Sequence, residues 1–362
     1  MTGGTASVST SAPPRGRAHG GRRVGRLLPW LVVGTGLLAL GLAALAPMPT
    51  LVLGLVFFGV LAATLSARYL LGRFAGLLDP AFVRVEAVLV SGVVLSGLLV
   101  GALGRPAQLV ATTLSFAVVG VAVGRWSSTS RRVMAWTLLS VALTVSLARP
   151  AYHLVVATHL LALTPLGFLW EWSRDVAAPV RRAFRTAAVT AYVGVPTLLL
   201  SGALDRWLSA GPGRVRSVVG DGGAILAATT LPGSEGTPLA ARTLAVAAFL
   251  ATLGYAVWVV LLPRAAPGAT AALEARLPWA TGPRVWAGAF TAAAGLAVVF
   301  ALDFRHAAVA LGAICAYPVL GGTALLVVLA GSRREVAQKA LPTPGSPTYG
   351  RVTEPEGRWS AK

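Results

Sequence analysis

Ten runs of apolar residues, most of them long enough to cross a bilayer, dominate this chain of 362 residues. About 20 residues of α-helix cover a hydrocarbon core of about 30 Å, and a helix satisfies its own backbone hydrogen bonds in lipid. Only 12% of the residues are charged, against about 25% in a typical soluble domain. The sequence therefore predicts an all-α, polytopic transmembrane helix bundle of about ten spans. The runs, of which the fifth is short, are Leu28–Ala46, Leu51–Leu65, Val85–Leu103, Ala107–Val123, Val133–Leu147, Ala151–Phe168, Thr186–Ala203, Leu244–Leu262, Val285–Leu302 and Ala307–Ala330.

The positions of the basic residues predict the orientation of the spans. Short cytoplasmic loops of membrane proteins collect Lys and Arg. If the N-terminus is cytoplasmic, 24 of the 31 basic residues fall on the cytoplasmic side and 7 on the outer side. One span more or fewer would exchange the sides of all later loops and remove this asymmetry. We therefore predict a multi-pass protein of the inner cell membrane with both termini in the cytoplasm.

Three segments outside the runs differ from them in composition. Residues 1–27 and 332–362 are rich in Gly, Pro, Ser or charged residues, which predicts disordered cytoplasmic tails on a transmembrane domain of residues 28–331. The loop 204–243 is predicted to lie outside. Its apolar stretch Ala224–Leu231 is either an interfacial or re-entrant segment or part of a loose loop. A signal peptide ending at Ala46 is the alternative for the first run, although Pro47 disfavours cleavage there.

The net charge of +19 does not indicate a nucleic-acid partner, because the basic residues punctuate the apolar runs instead of clustering among aromatic residues. Cationic side chains near the cytoplasmic surface are attracted to anionic lipid, so a bilayer with an anionic cytoplasmic leaflet is the predicted partner. The single cysteine, Cys315, excludes an intramolecular disulfide and a cysteine-based metal motif.

Three polar side chains within the runs are the candidate ligand-binding residues. His159 lies near the middle of the sixth run, Tyr255 within the eighth and Tyr317 within the tenth. A polar group inside an apolar run needs a hydrogen-bond partner, and a bound ligand could supply it. The alternative is a purely structural role between packed helices. Pro165 predicts a kink; such kinks often border cavities, and a plain packing kink is the alternative. Glu86, the one charged residue inside the runs, is expected at the cytoplasmic headgroup level as a snorkelling or paired carboxylate.

A second polar set is predicted at the outer surface. Asp303 and His306 join the ninth and tenth runs, and His153 begins the sixth. Two histidines and one carboxylate can hold Fe(II) or Zn(II). Nothing in the sequence shows that these helices are neighbours, and a set of surface salt bridges is the alternative. No metal site is therefore predicted, and the cofactor is left unknown.

Several catalytic motifs are missing from the chain. It has no P-loop lysine, no G-x-S-x-G, no paired aspartate motif and no histidine boxes of the desaturase type. These absences argue against ATP hydrolysis, serine hydrolysis, prenyl transfer and di-iron desaturation.

Parts of the second half of the chain are similar to a known family. The stretches His159–Glu171, Gly254–Arg264 and Leu302–Ala307, together with Tyr317-Pro318, resemble segments of the Brp/Blh-like β-carotene dioxygenase group. The resemblance implies a polytopic protein in which several histidines hold one iron that cleaves a carotenoid with O₂ to give retinal. No histidine occurs in the first five, seventh, eighth or ninth runs. The resemblance therefore implies a chain that has lost the iron site and kept an apolar cavity.

These features predict binding of a lipid-like or isoprenoid ligand inside the bundle, by a degenerate carotenoid-dioxygenase-like protein if the resemblance holds. One alternative is a secondary transporter, although the lack of a deep charged residue makes ion coupling hard to build. Another is a non-catalytic membrane subunit of an envelope complex. Whether the chain is an enzyme, and its oligomeric state, stay open.

Overall fold

The computed structural model describes residues 18–74, 79–208, 223–266 and 268–339, and this part of the chain is helical and contains no β-strand. Its helices are α1 (Ala18–Leu45), α2 (Pro47–Arg73), α3 (Pro80–Leu103), α4 (Arg105–Gly124), α5 (Thr129–Ala148), α6 (Pro150–Leu161), α7 (Thr164–Trp172), α8 (Ala178–Val189), α9 (Val195–Leu200), α10 (Gly223–Thr229), α11 (Pro238–Ala256), α12 (Leu262–Ala265), α13 (Ala271–Arg276), α14 (Gly282–Leu302) and α15 (Phe304–Lys339).

Ten helical segments in the described residues are long and apolar enough to cross a membrane, and each overlaps one of the ten predicted runs. The fifth, Thr129–Ala148, has 20 residues, so the run that looked short in the sequence is part of a full-length span. Three spans are composite: α6 with α7, α8 with α9, and α11 with α12. The predicted all-α polytopic bundle is confirmed.

Prolines and one glycine account for many of the helix boundaries. Proline lacks a backbone N–H and has a fixed φ, so it fits the first turn of a helix, where the N–H has no partner. Gly104 alone separates α3 from α4, at a φ of +62° that side chains rarely adopt. Prolines occupy the first or second position of ten helices, namely α2, α3, α4, α6, α7, α8, α9, α11, α12 and α14.

Two spans contain a π-helical turn, and a proline follows each turn by two residues. The turns are Thr190–Gly194, before Pro196, and Val257–Leu261, before Pro263. In the second turn the N–H of Leu262 donates to the carbonyl oxygen of Val257, five residues earlier. Proline cannot donate a hydrogen bond to the carbonyl four residues before it. The wider turn is a local rearrangement of the helix hydrogen bonds next to the proline.

The centre of the bundle is formed by α2 and α11. In the most apolar stretches of the spans that contain them, 56% and 61% of the residues are buried, whereas the span α5 has no fully buried residue. The largest hydrophobic core joins residues of α1, α2, α7, α8 and α11, and two smaller cores lie where α15 packs on α2 with α14 and on α3 with α4. The candidate cavities border these central helices.

The structure extends two helices into segments predicted as tails. α1 begins at Ala18, within the predicted tail 1–27, and α15 continues to Lys339, beyond the predicted boundary at 331. Residues 1–17 and 340–362, the remainder of the predicted tails, lie outside the described residues, as do residues 209–222 of the predicted outer loop. Of the apolar stretch in that loop, Gly223–Thr229 forms the short helix α10, which packs against α6.

Candidate functional site

The three candidate residues lie in three different environments. His159 is partly buried on α6, with its Nδ1 2.8 Å from the carbonyl oxygen of Val155 and its Nε2 3.3 Å from that of Thr243 on α11. A neutral imidazole has one N–H and donates to one of these oxygens at a time. The ring therefore links the sixth span to the backbone of the eighth.

Tyr255 lines a small space that we call the central cavity. It measures about 130 Å³, and its other lining residues include Gly59, Pro165, Trp258 and Pro318. A cavity of about this size lined by apolar groups stays dry and can bind a molecule such as benzene. The kink predicted at Pro165 is present, because α6 ends at Leu161 and α7 begins at Thr164, and the predicted cavity adjoins it.

The tyrosine ring fits closely against α2. A methyl group at Gly54 would come within 2.9 Å of the Cε2 atom of Tyr255, so the glycine leaves the space that the ring needs. The ring also lies 6.2 Å from that of Phe58, centroid to centroid. No side chain in the described part of the chain forms a hydrogen bond with the Tyr255 hydroxyl. A ligand in the central cavity would thus meet one free hydroxyl and mostly hydrocarbon.

Tyr317 lies outside the central cavity. Its hydroxyl is 2.8 Å from the Oγ atom of Ser91 on α3, and its side chain lines a separate groove between α2, α3 and α15. Pro318 lines both this groove and the central cavity. The structure therefore does not join His159, Tyr255 and Tyr317 into one site.

A second cavity, which we call the polar cavity, adjoins the first. It measures about 180 Å³ and is lined by Arg68, Tyr69, Thr270 and Trp286, among others, and by Trp258, which the two cavities share. Trp258 belongs to the π-helical turn before Pro263, and its ring contacts those of Tyr69 and Phe168.

Two donors beside the polar cavity find no acceptor within the described residues. The Arg68 guanidinium is ion-paired with Glu274, and Thr270 Oγ1 donates to the same carboxylate over 2.9 Å. The Nε atom of Arg68 and the hydroxyl of Tyr69 are buried without a partner and have almost no accessible surface, so they do not face the open space of the cavity. A buried donor without an acceptor costs about 1–3 kcal/mol.

Sequence reasoning missed the polar cavity. Arg68 was counted only as a cytoplasmic loop residue, and Glu274, 206 positions away, gave no sign of pairing with it. The one available signal was local. Arg68 and Tyr69 lie three and four residues after Leu65, the last residue of an apolar run, and so share its face of the helix. This spacing indicates that the arginine is at least partly enclosed.

Glu86 differs most from its prediction. It is 7% exposed, and neither carboxyl oxygen has a hydrogen-bond partner in the described part of the chain. The expectation of a snorkelling or paired carboxylate was wrong, because α2 and α15 cover the face of α3 that carries it. The reason given against an ion-coupled transporter was that no charged residue is buried in a span. The burial of Glu86 contradicts that reason.

The outer residues do not assemble into a site. The Nδ1 atom of His306 and a carboxyl oxygen of Asp303 lie 2.5 Å apart at the start of α15, while the half-buried His153 packs against Phe116. Within the described ranges, no three His, Cys, Asp or Glu side chains form a group that could hold a metal ion. The candidate set His153, His306 and Asp303 is therefore not brought together.

Charge pairs fix both ends of the bundle. The Asp79 carboxylate accepts a hydrogen bond from the Ala81 N–H at the start of α3 and pairs with Arg125, and these contacts lower its pKa. Asp205 accepts two hydrogen bonds from Arg242, which likewise lower the pKa of that carboxyl. These pairs anchor span ends and leave the interior almost free of charge.

A further groove lies at the surface of the bundle. It measures about 670 Å³ between α1 and α8, with the 73% exposed Trp30 on one wall and Arg182 as its charged residue.

The helices and cavities define a class: an all-α integral membrane protein with ten apolar helices long enough to span a bilayer. No protein-family model, characterised protein or solved structure matches the chain. The resemblance to the Brp/Blh-like group accordingly stays a prediction. The described residues also do not fit the multi-histidine iron site that it implies, because they contain no group of three His, Cys, Asp or Glu side chains that could hold a metal ion.

Proposed function

We propose that this integral membrane protein binds a lipid-like or isoprenoid ligand inside its bundle. The apolar part of the ligand would occupy the central cavity, and a head that accepts hydrogen bonds would occupy the polar cavity. The observation that carries the proposal is Trp258, which lines both spaces and so puts an apolar cavity next to a polar one.

The chemistry of the two cavities matches an amphipathic molecule. The central cavity offers hydrocarbon, aromatic faces and the Tyr255 hydroxyl, which suits a short branched or unsaturated segment of a chain. The polar cavity is lined by the Arg68 guanidinium, whose charge Glu274 already neutralises, so an uncharged head that accepts hydrogen bonds suits it better than an anion.

We also propose the inner cell membrane as the location, with both termini cytoplasmic. The support is the distribution of basic residues along the chain together with the ion pairs Arg68–Glu274, Arg73–Asp175 and Arg125–Asp79, which lie at span ends assigned to the cytoplasmic side. An anionic cytoplasmic leaflet would attract the basic residues that these pairs do not neutralise. On the family resemblance, the protein is a degenerate relative of the carotenoid dioxygenases that keeps a cavity for an isoprenoid.

Mass spectrometry of lipids that co-purify with the full chain tests the proposal. Ala251→Phe fills the central cavity, and Ala142→Phe adds the same group at an exposed position of α5. We expect the wild type and Ala142→Phe to retain one apolar ligand above the bulk lipid, and Ala251→Phe to lose it. Equal retention by the two variants, or an extract of bulk lipid alone from the wild type, would refute the proposal.

A further inference from the structure

The groove beside Tyr317 contains a buried carboxyl group with no partner. We call it the Glu86 groove; it measures about 260 Å³ and is lined by Leu71, Phe82, Val83, Glu86, Ala87 and Tyr317, among others. Glu86 is 7% exposed, and neither of its carboxyl oxygens finds a donor within the residues that the structure describes. An isolated carboxylate at this depth requires a counter-charge or a proton.

The basic residues nearest to this groove along α2, α3 and α4 are used elsewhere. Arg68 pairs with Glu274, Arg73 with Asp175 and Arg125 with Asp79. Arg84, two residues before Glu86, is exposed and its Nε donates to the carbonyl oxygen of Pro80. The positive charge that Glu86 lacks is therefore not supplied by these arginines.

The groove is open on the side where lipid would lie. Leu71 is 47% exposed, Val83 38% and Tyr317 46%, so three of its walls reach the surface of the bundle. The rest of the lining is apolar except for Tyr317, whose hydroxyl is already hydrogen-bonded to Ser91. A molecule that enters from the bilayer would meet an apolar groove. The Glu86 oxygens have almost no accessible surface, so contact with them requires a rotation of the Glu86 side chain into the groove.

We propose that the Glu86 groove is a second binding site, which takes the ammonium head of a lipid-like primary amine from the bilayer. The Glu86 carboxylate is its counter-ion, and the apolar walls contact the first methylene groups of its chain. Charge complementarity selects this occupant for the ionised form of Glu86, because an anionic lipid would place like charges together and a neutral alcohol would leave the carboxylate without a counter-charge. A Glu86 that stays protonated would bind amine and alcohol alike, and the test below separates the two cases. The site is distinct from the central cavity, from which Pro318 separates it.

Binding of dodecylamine to the purified full chain in detergent tests this inference, with dodecanol as the uncharged control for partition into micelles. Thermal unfolding at increasing concentrations of each compound gives the apparent affinity. We expect saturable stabilisation by the amine at about tenfold lower concentration than by the alcohol, which corresponds to about 1.4 kcal/mol.

Three variants of α3 make the test specific. Glu86→Gln removes the charge with little change in shape, and Ala87→Phe fills the groove from an exposed position while it leaves the acid in place. Both should abolish the preference for the amine. Val88→Phe, at a 71% exposed position outside the groove, should keep it. If Glu86→Gln does not fold, Ala87→Phe alone decides the test.

The inference is overturned if the wild type responds equally to amine and alcohol, or if Ala87→Phe retains the preference. Its failure is distinguishable from that of the proposed function. Ala251→Phe in the central cavity should bind dodecylamine as the wild type does, and Glu86→Gln should still co-purify with the ligand of the central cavity.

Discussion

Replacing Gly72 with alanine should open the polar cavity by separating α2 from the segment that closes it. A Cβ atom at Gly72 would lie 2.6 Å from the carbonyl oxygen of Ala269 and 2.8 Å from the Cα of Thr270. Ordinary contacts begin at 3.4 Å, so the backbone at Ala269 would have to retreat by about 0.8 Å. A backbone segment cannot avoid the clash by changing a rotamer.

The expected free-energy change follows from two opposing effects. Overpacking of a buried position costs about 1–3 kcal/mol. The higher helix preference of alanine returns about 0.5–1 kcal/mol. At the middle of each range, the net destabilisation should therefore be about 1 kcal/mol. The displaced Thr270 also holds Glu274, so the ion pair of Glu274 with Arg68 should weaken as well.

Gly97→Ala is the matched control. Gly97 lies within α3, is exposed, and has no atom within 4 Å of the position that a Cβ would take. Its replacement should leave the free energy of unfolding unchanged or raise it slightly. Unfolding of both purified variants by SDS in mixed micelles measures the difference. If Gly72→Ala proves as stable as Gly97→Ala, the close packing of the Ala269 segment on α2 is refuted.

Three further predictions concern the candidate residues and the topology. His159→Ala should lower the free energy of unfolding by about 1 kcal/mol, because the hydrogen bond is lost, and His159→Gln should recover part of it. His153→Ala and His306→Ala should melt like the wild type. The arginine partner of Asp205 lowers the pKa of its carboxyl group. The carboxylate therefore stabilises the fold fully at a pH above its ordinary pKa of about 3.9, and this stabilisation is lost as the pH falls through the lowered pKa. Asp205→Asn should thus melt earlier at pH 7 and show a weaker loss of stability in acid, and identical acid profiles would contradict this. Alkaline phosphatase fused after Lys362 should be inactive, and an active fusion would refute ten spans with a cytoplasmic N-terminus.

Sequence patterns predicted the spans well because the bilayer imposes a length and a composition on each one separately. Every predicted run corresponds to a helix of the bundle, and even the cavity next to the Pro165 kink follows from local chain chemistry. Such patterns contain no information about which helices are neighbours. They could therefore place Tyr255 and Tyr317 within apolar runs without showing that the two side chains lie in separate cavities.

The errors at charged residues have the same physical origin. Glu86 was interpreted from its distance to the start of a run, whereas its environment is decided by α2 and α15, which cover that face of α3. The pairing of Arg68 with Glu274 joins residues 206 positions apart, so only the tertiary structure reveals it. The role of His159 as a link between two spans likewise depends on the packing of α6 against α11.

The π-helical turn at Val257–Leu261 also makes this span tolerant of a change in length. A π-turn holds one residue more than the α-helical turn that it replaces, so loss of one residue there restores the regular helix without rotating the segments on either side. The same loss in the middle of α2 would turn Arg68 by about 100° away from the polar cavity. Homologous chains can therefore differ by one residue beside Trp258 and keep the two cavities aligned.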